Sequence, residues 1–476
     1  MSPLARRLRP LQVGVGLQGL ILWVPVEKLF MTQIGFDAAS IGVMAAAYAA
    51  VVPLLEVPSG VLADRWSRSW VMVLACVALI ASTLLGGLST NVATYVLAAM
   101  ILGVYFAMSS GTVDSIVYDV VMEETGSNDL YETWIGRVRM VESGAFVASA
   151  LAGGLLAGWT SARLTYFATI PFVALAIVGF LVFDEPRLHR SADPVSLRSH
   201  VALTVRTMTR QREVVQVLLL AALSAMLSQV VFEFGPLWLV VLAAPAVLFG
   251  PYWAGLVSTL GLGGYLVSKL HLDRRGIVVL LACAGPLVAL ALAVSRSLAL
   301  VVTAQAVLAL LLAVIGIHTG RLLHDAVPST IRTGVASGVG TLSWMLFLPF
   351  SLALGWLARE HGLRPAGWML TGAALVVGAL LVASAFRGPR PLTEAALAPE
   401  QLACRELVEL VTDYLDGVLE PGWRAGFEEH LAGCDGCTEY VRQIRVTLQG
   451  LDRLAAAGTP APRQQAGDDD AGVEVD

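Results

Sequence analysis

Four residues near the C-terminus have the types and spacing of a metal site. Cys404, His430, Cys434 and Cys437 follow the pattern C-x25-H-x3-C-x2-C. Three thiolates and one imidazole complete a tetrahedral shell for zinc, and the short gap between the last two cysteines suits a chelating turn. Ordinary cysteines in a reducing compartment are the alternative for this set. Cys76 and Cys283 lie in apolar runs and read as small packing residues. A second set is a run of charges between two apolar segments, Gly60-Val-Leu-Ala-Asp64-Arg65-Trp66-Ser67-Arg68. Here a carboxylate and two guanidiniums can form a charge network at helix ends. A third set is scattered, consisting of Glu27, Glu56, Asp114, Asp119 and Glu233, acids at or inside apolar runs. Ionisable groups in such runs usually face a cavity or a cation. The alternative for Glu56, Asp114 and Asp119 is a solvated helix end, and for Glu27 a local ion pair with Lys28.

The elements that must carry these residues are membrane spans. The 476-residue chain is 57% apolar and 14% charged, with a mean hydropathy of +0.73. A soluble domain is about half apolar and a quarter charged. Apolar windows fall at 11–30, 38–58, 69–88, 93–114, 139–159 and 163–183, and again at 214–235, 248–269, 276–294, 298–318, 334–357 and 366–386. Each approaches the ~20 residues that cross a hydrocarbon core as a helix, the form lipid demands of an open chain. The expected fold is therefore all-α, with twelve spans in two six-helix halves. The arginine-rich start (Arg6, Arg7, Arg9) precedes a run without a clear cleavage site and reads as a retained first span. Arginines concentrate in alternate connections, among them Arg65, Arg68, Arg137, Arg139, Arg187, Arg190, Arg274, Arg275 and Arg321, against few on the other side (Arg163, Arg296, Arg359, Arg364). This bias predicts a bacterial inner membrane protein with both termini cytoplasmic. The expected domains are 1–183, a cytoplasmic connection at 184–213, a second half at 214–390, a proline-bearing linker at 391–399, a helical module at 400–454 and a disordered tail at 455–476.

The Gly60–Arg68 run resembles the G-x-x-x-D-R-x-x-R signature of the major facilitator superfamily, at the loop where that family carries it. With the six-plus-six pattern, the resemblance covers residues 8–390. It implies alternating access about a central cavity, with Gly60 permitting close helix approach. Asp64, Arg65 and Arg68 would form a cytoplasmic gate network, with Asp119 as a partner at the end of the fourth span. The counterpart loops of the second half, around Lys269–Arg275 and Arg321–Pro328, give topological support without the same spacing. The family also implies that the first and seventh spans line the pathway. Glu27 and Glu233 stand near their outer ends, and a carboxyl in low dielectric can hold a proton until water reaches it. Gln18, Trp23, Trp238, His318 and Trp344 are further cavity candidates. Two drug-antiporter features are missing, since Ile101, Gly103 and Tyr105 stand where an arginine is often found and 144–154 contains no proline.

Residues 404–437 resemble the zinc-binding anti-sigma-factor domain, in which all four positions are ligands; Tyr414-Leu415-Asp416-Gly417 and His430-Leu431 also fit. The reading is a non-enzymatic transporter of a small organic solute, most simply an exporter, embedded in the bilayer, coupled to a proton gradient or otherwise secondary, and carrying a cytoplasmic zinc module with a regulatory role. The rival is a membrane-tethered anti-sigma regulator that binds a sigma factor and uses the transporter-like body as a sensor. No P-loop pattern for ATP-driven transport, no catalytic set and no direct nucleic-acid contact is read from the chain.

Overall fold

A computed structural model describes residues 3–65, 67–109, 112–127, 130–185, 212–270, 272, 274–326, 332–387, 404–419 and 421–458. The described elements are helical, and the chain divides into two compact units, 1–391 and 392–476. Eleven described helical segments are long and apolar enough to cross a membrane. The first span does not register as a twelfth because it is broken. It runs as α1 (Pro3–Gln18), a short turn of 3-10 helix at Val24–Val26, and α2 (Glu27–Gln33).

The rest of the first half comprises α3 (Ala38–Arg65), α4 (Arg68–Leu88), α5 (Val92–Ser109), α6 (Thr112–Thr125), α7 (Tyr131–Trp159) and α8 (Ala162–Val182). The fourth span is α5 and α6 together. The second half comprises α9 (Arg212–Val241), α10 (Phe249–Lys269), α11 (Arg275–Val294), α12 (Leu298–Ala326), α13 (Arg332–His361) and α14 (Leu363–Arg387). Helix starts are marked by local chemistry. The Ser67 and Ser161 hydroxyls accept from the backbone N–H of Trp70 (3.2 Å) and Leu164 (3.3 Å). Asp37 and Ser40 cap the start of α3 reciprocally, each side chain accepting from the other's backbone N–H (2.7 and 2.8 Å).

The break in the first span is held by its neighbours. Backbone groups freed inside a membrane protein must find new partners. The Leu22 N–H donates to Thr169 Oγ1 on α8 at 3.0 Å. The Leu22 carbonyl presses against Gly153 of α7, where an added Cβ would lie 2.0 Å from that oxygen. A side chain at position 153 would displace the break.

The bundle has a terminal end, which holds Pro3 and Arg387, and a distal end. Among the described residues the halves meet chiefly through α3 with α13 and α7 with α10, joined by α2 with α9 and by the 3-10 turns Val24–Val26 against α10 and Ala246–Leu248 against α7. Glycines permit the first two. A Cβ on Gly42 would sit 2.5 Å from the Ser351 carbonyl, and one on Gly355 2.6 Å from that of Ala38. A Cβ on Gly154 would sit 2.6 Å from the Gly250 nitrogen. These positions lie in the distal parts of their helices. Toward the terminal end, a Cβ on Gly136, Gly144, Gly261 or Gly264 would meet nothing. Residues 139, 140, 141, 143 and 144 of α7 are all exposed. Since a helix turns every 3.6 residues, this exposure covers its circumference. The halves are closed distally and parted toward the terminal end.

The second unit is α15 (Cys404–Leu415), α16 (Pro421–Gly433) and α17 (Asp435–Gly458). Leu407, Val411, Phe427, Cys437 and Val441 form its core, with Tyr414 stacked on Phe427 (4.2 Å, 20°). Such a core is small for independent folding, the situation in which small domains recruit metals.

Candidate functional site

Glu27 and Glu233, 206 residues apart, converge at the distal closure. Lys28, at the start of α2, lies between them. Its ammonium donates to Glu27 Oε2 at 2.7 Å and to Glu233 Oε1 across the interface between the halves. It is only 2% exposed. The other carboxylate oxygens are also satisfied, since Tyr95 OH donates to Glu27 Oε1 (2.9 Å) and Tyr48 OH to Glu233 Oε2 (3.0 Å). Tyr95 and Tyr166 hydroxyls lie 2.6 Å apart. A tyrosine has one proton to donate, so with Tyr95 committed to Glu27, Tyr166 is the donor to Tyr95. The result is a hydrogen-bonded chain Tyr166–Tyr95–Glu27–Lys28–Glu233–Tyr48, running through both halves. It sets two carboxyl groups against one ammonium in a largely buried place.

Aromatic rings surround this chain. Trp23 stacks on Tyr166 (centroids 5.0 Å, 9°), and Tyr95 meets Tyr166 edge-on (6.3 Å, 80°). Across the interface Tyr48 meets Trp344 edge-on at 5.8 Å. A narrow cleft beside Glu27, with room for about one water molecule, is lined by Trp23, Ser82, Tyr95, Leu102 and Tyr166. Trp23 and Trp238 are buried, with indole N–H groups bonded to Thr83 Oγ1 (3.2 Å) and the Leu292 carbonyl (3.3 Å), rather than standing at an interface. Gln18 is buried within the first half.

The described ion pairs near the terminal end join residues of the same half. Arg68 pairs with Asp119. Glu185 accepts from Ser67 Oγ and from the Arg68 backbone N–H (2.6 Å). Arg7 reaches Glu123 (3.2 Å) and Glu124 (2.8 Å). The Gly60, Asp64 and Arg65 side chains, like those of His324 and Asp325, lie outside the described residues. Deeper in, Arg139 bridges Asp114 (2.7 Å) and Glu142 (2.8 Å). Glu56 is partly buried on α3, and its side chain has a partner.

Reasoning from sequence missed the bridging role of Lys28, the three tyrosines and the pair Arg139–Glu142. The fifth apolar window began at 139, which put Glu142 at its edge. In the structure α7 begins at Tyr131, so Glu142 lies three turns in, about 16 Å along the helix. Its one sequence signal was an acid followed by a long uncharged run.

In the second unit, Cys404, His430, Cys434 and Cys437 come together with their ligand atoms within 4.8 Å of one another. Cys404 and Cys434 sulfurs are 3.8 Å apart, and His430 Nε2 lies 3.3 Å from Cys437 Sγ. A tetrahedron with zinc–sulfur bonds of about 2.3 Å has sulfur–sulfur edges of about 3.8 Å, and sulfur–nitrogen edges somewhat shorter. The donor set fits such an ion. Hydrogen bonding from the Cys437 backbone N–H holds the Cys434 thiol down to about 7, whereas burial pushes Cys437 up to about 12.

Residues 12–347 match the family model of the Major Facilitator Superfamily, and residues 404–438 match a zinc-finger family model. Multidrug resistance protein 2 of Bacillus subtilis (strain 168) is 25% identical over 174 residues, which is 36% of this chain and 42% of that protein. This chain therefore spans less than half the length of that relative. Among solved structures, the nucleoside transporter NupG superposes with a TM-score of 0.65 at 15% identity, over 79% of this chain and 99% of that one. A D-xylose-proton symporter gives 0.61 at 12%, over 81% and 100%. A bacterial homolog of the lysosomal transporter Spinster, inward-facing and unoccupied, gives 0.58 at 16%, over 81% and 95%. At these identities the likenesses establish the fold.

Proposed function

The chain belongs to the Major Facilitator Superfamily, and from that premise we propose that it is a secondary active transporter exporting a small organic solute across a bacterial cytoplasmic membrane. The terminal end faces the cytoplasm, in keeping with the arginine bias. The carrying observation is the Lys28 bridge, because an ion pair between the two halves at the distal closure exists in one conformation and must break in the other. Glycine-mediated closure distally and separation at the terminal end correspond to a cavity open to the cytoplasm. Glu27 and Glu233 are the coupling acids, since a proton on either weakens its hold on Lys28. Likeness to a multidrug resistance protein favours export of an organic molecule.

Arg68 and Asp119, with Gly60, Asp64 and Arg65, form the cytoplasmic gate. Glu56 and Asp114 line the approach to the cavity, Asp114 together with Arg139 and Glu142. The terminal unit is a regulatory module whose Cys404, His430, Cys434 and Cys437 hold zinc. The ion would tie α15, α16 and α17 together, with all four positions taken by protein. Flux of fluorescent solutes in inside-out vesicles, with and without a proton gradient, tests this function. Uptake that needs the gradient, and that persists when the chain is truncated after Pro391, supports a transporter with a regulatory appendage. Absence of flux from the intact chain, combined with capture of a sigma factor by the module, would replace it with the tethered-regulator reading.

A further inference from the structure

We propose that the solute is an organic cation, and that the Lys28 ammonium is its built-in competitor. The inference rests on the transporter reading and adds the chemistry of the cargo. Lys28 itself demonstrates what the site holds, a single ammonium between one carboxylate from each half, with every carboxylate oxygen bonded. Among the described span residues between the two ends of the bundle, the acids are Glu27, Glu56, Asp114, Glu142 and Glu233, and the basic side chains are Lys28, Arg139 and His318. Five acids against three basic groups, one of them an imidazole, disfavour an anionic cargo and favour a cationic one. Apart from Glu233 and His318, these groups all come from the first half.

The walls fit the same class. Ring faces carry negative quadrupole charge and favour a cation above them. Tyr48 and the partly exposed Trp344 flank Glu233, while Trp23, Tyr95 and Tyr166 lie buried behind Glu27. A cation bearing apolar groups thus meets carboxylate and aromatic surface together. The Glu27 and Glu233 side chains keep 14% and 16% exposure, so they are reachable, whereas Lys28 is almost fully covered.

Occupancy is then coupled to closure. With no cargo, Lys28 spans Glu27 and Glu233 and holds α2 against α9. An arriving cation takes over Glu233, so the charge is preserved while the described ion pair between α2 and α9 is lost. The ammonium stays on α2, attached to Glu27, and returns when the cation leaves. Competition and gate opening are the same exchange.

The test is equilibrium dialysis of the purified full-length protein with tetraphenylphosphonium and tetraphenylborate, ions of the same shape and opposite charge. Saturable phosphonium binding with no borate binding above a protein-free control is expected. Lys28→Met should tighten phosphonium binding about tenfold, and Glu233→Gln should weaken it about tenfold, as close charge pairs of this kind couple by at least ~1.5 kcal/mol. Preference for borate, or phosphonium binding indifferent to Lys28→Met and Glu233→Gln, overturns the inference. Should Lys28→Met fail to elute as a monodisperse protein, the wild-type charge preference and Glu233→Gln decide alone. Gradient-driven flux of a neutral solute without phosphonium binding would leave the transporter reading standing and remove the cation.

Discussion

Replacing Gly42 with alanine should shift this protein away from its distally closed state. The added methyl would lie 2.5 Å from the Ser351 carbonyl oxygen, where ordinary contact begins near 3.4 Å, so α3 and α13 must part by about 0.9 Å. Neither obstacle is a flexible side chain; the methyl meets the Ser351 carbonyl and the Gly355 Cα, both backbone. Overpacking of this kind costs ~1–3 kcal/mol, which corresponds to a change of about 5- to 150-fold in the ratio of closed to open forms. The cost falls on one conformation only, because the distally open form separates these helices. Helix stability itself should rise slightly, since alanine is a better helix former than glycine by about 1 kcal/mol. The assay is the distance distribution between spin labels at Thr160 and Glu360, at the distal ends of the two halves, attached through non-cysteine chemistry. Gly42→Ala should enrich the longer distances. Gly144→Ala, whose methyl meets nothing, should leave the distribution unchanged. A Gly42→Ala protein with the wild-type distribution would refute the glycine contact as the closing surface.

Asp119→Asn removes the carboxylate that pairs with Arg68 at the terminal end, and should lower flux per purified molecule about tenfold or more; undiminished flux per purified molecule would exclude a gating role. Cys434→Ser leaves three ligands in the terminal unit. Purified wild-type chain should carry one zinc per molecule by elemental analysis, and the variant should bind zinc at least about 100-fold more weakly. Metal-free wild-type protein that gains no zinc under reducing conditions would rule out the site. Chelation should lower the helicity of residues 404–458 and leave the spans intact, because the metal contributes much of the folding free energy of so small a core.

The sequence by itself determined the solvent of this protein, and hence most of its fold. A run of some twenty apolar residues must be a helix in lipid, and that property is local to the run. The Cys/His cluster of the terminal unit was legible for a similar reason, since the two-residue gap between Cys434 and Cys437 already suits chelation and His430 lies four residues before Cys434. Glu27 and Glu233 stood out as acids in apolar runs, but their meeting through Lys28 did not. That pairing depends on how closely the halves approach, which is set by Gly42, Gly154, Gly250 and Gly355 meeting backbone to backbone. Lys28 therefore read as the sequence neighbour of Glu27, although its second partner lies 205 residues away. The broken first span was hidden likewise, because its freed backbone groups are satisfied by Thr169 and accommodated by Gly153 on other helices. The closed end was equally a tertiary decision, because it is set by backbone contacts between the halves and not by any single run of sequence.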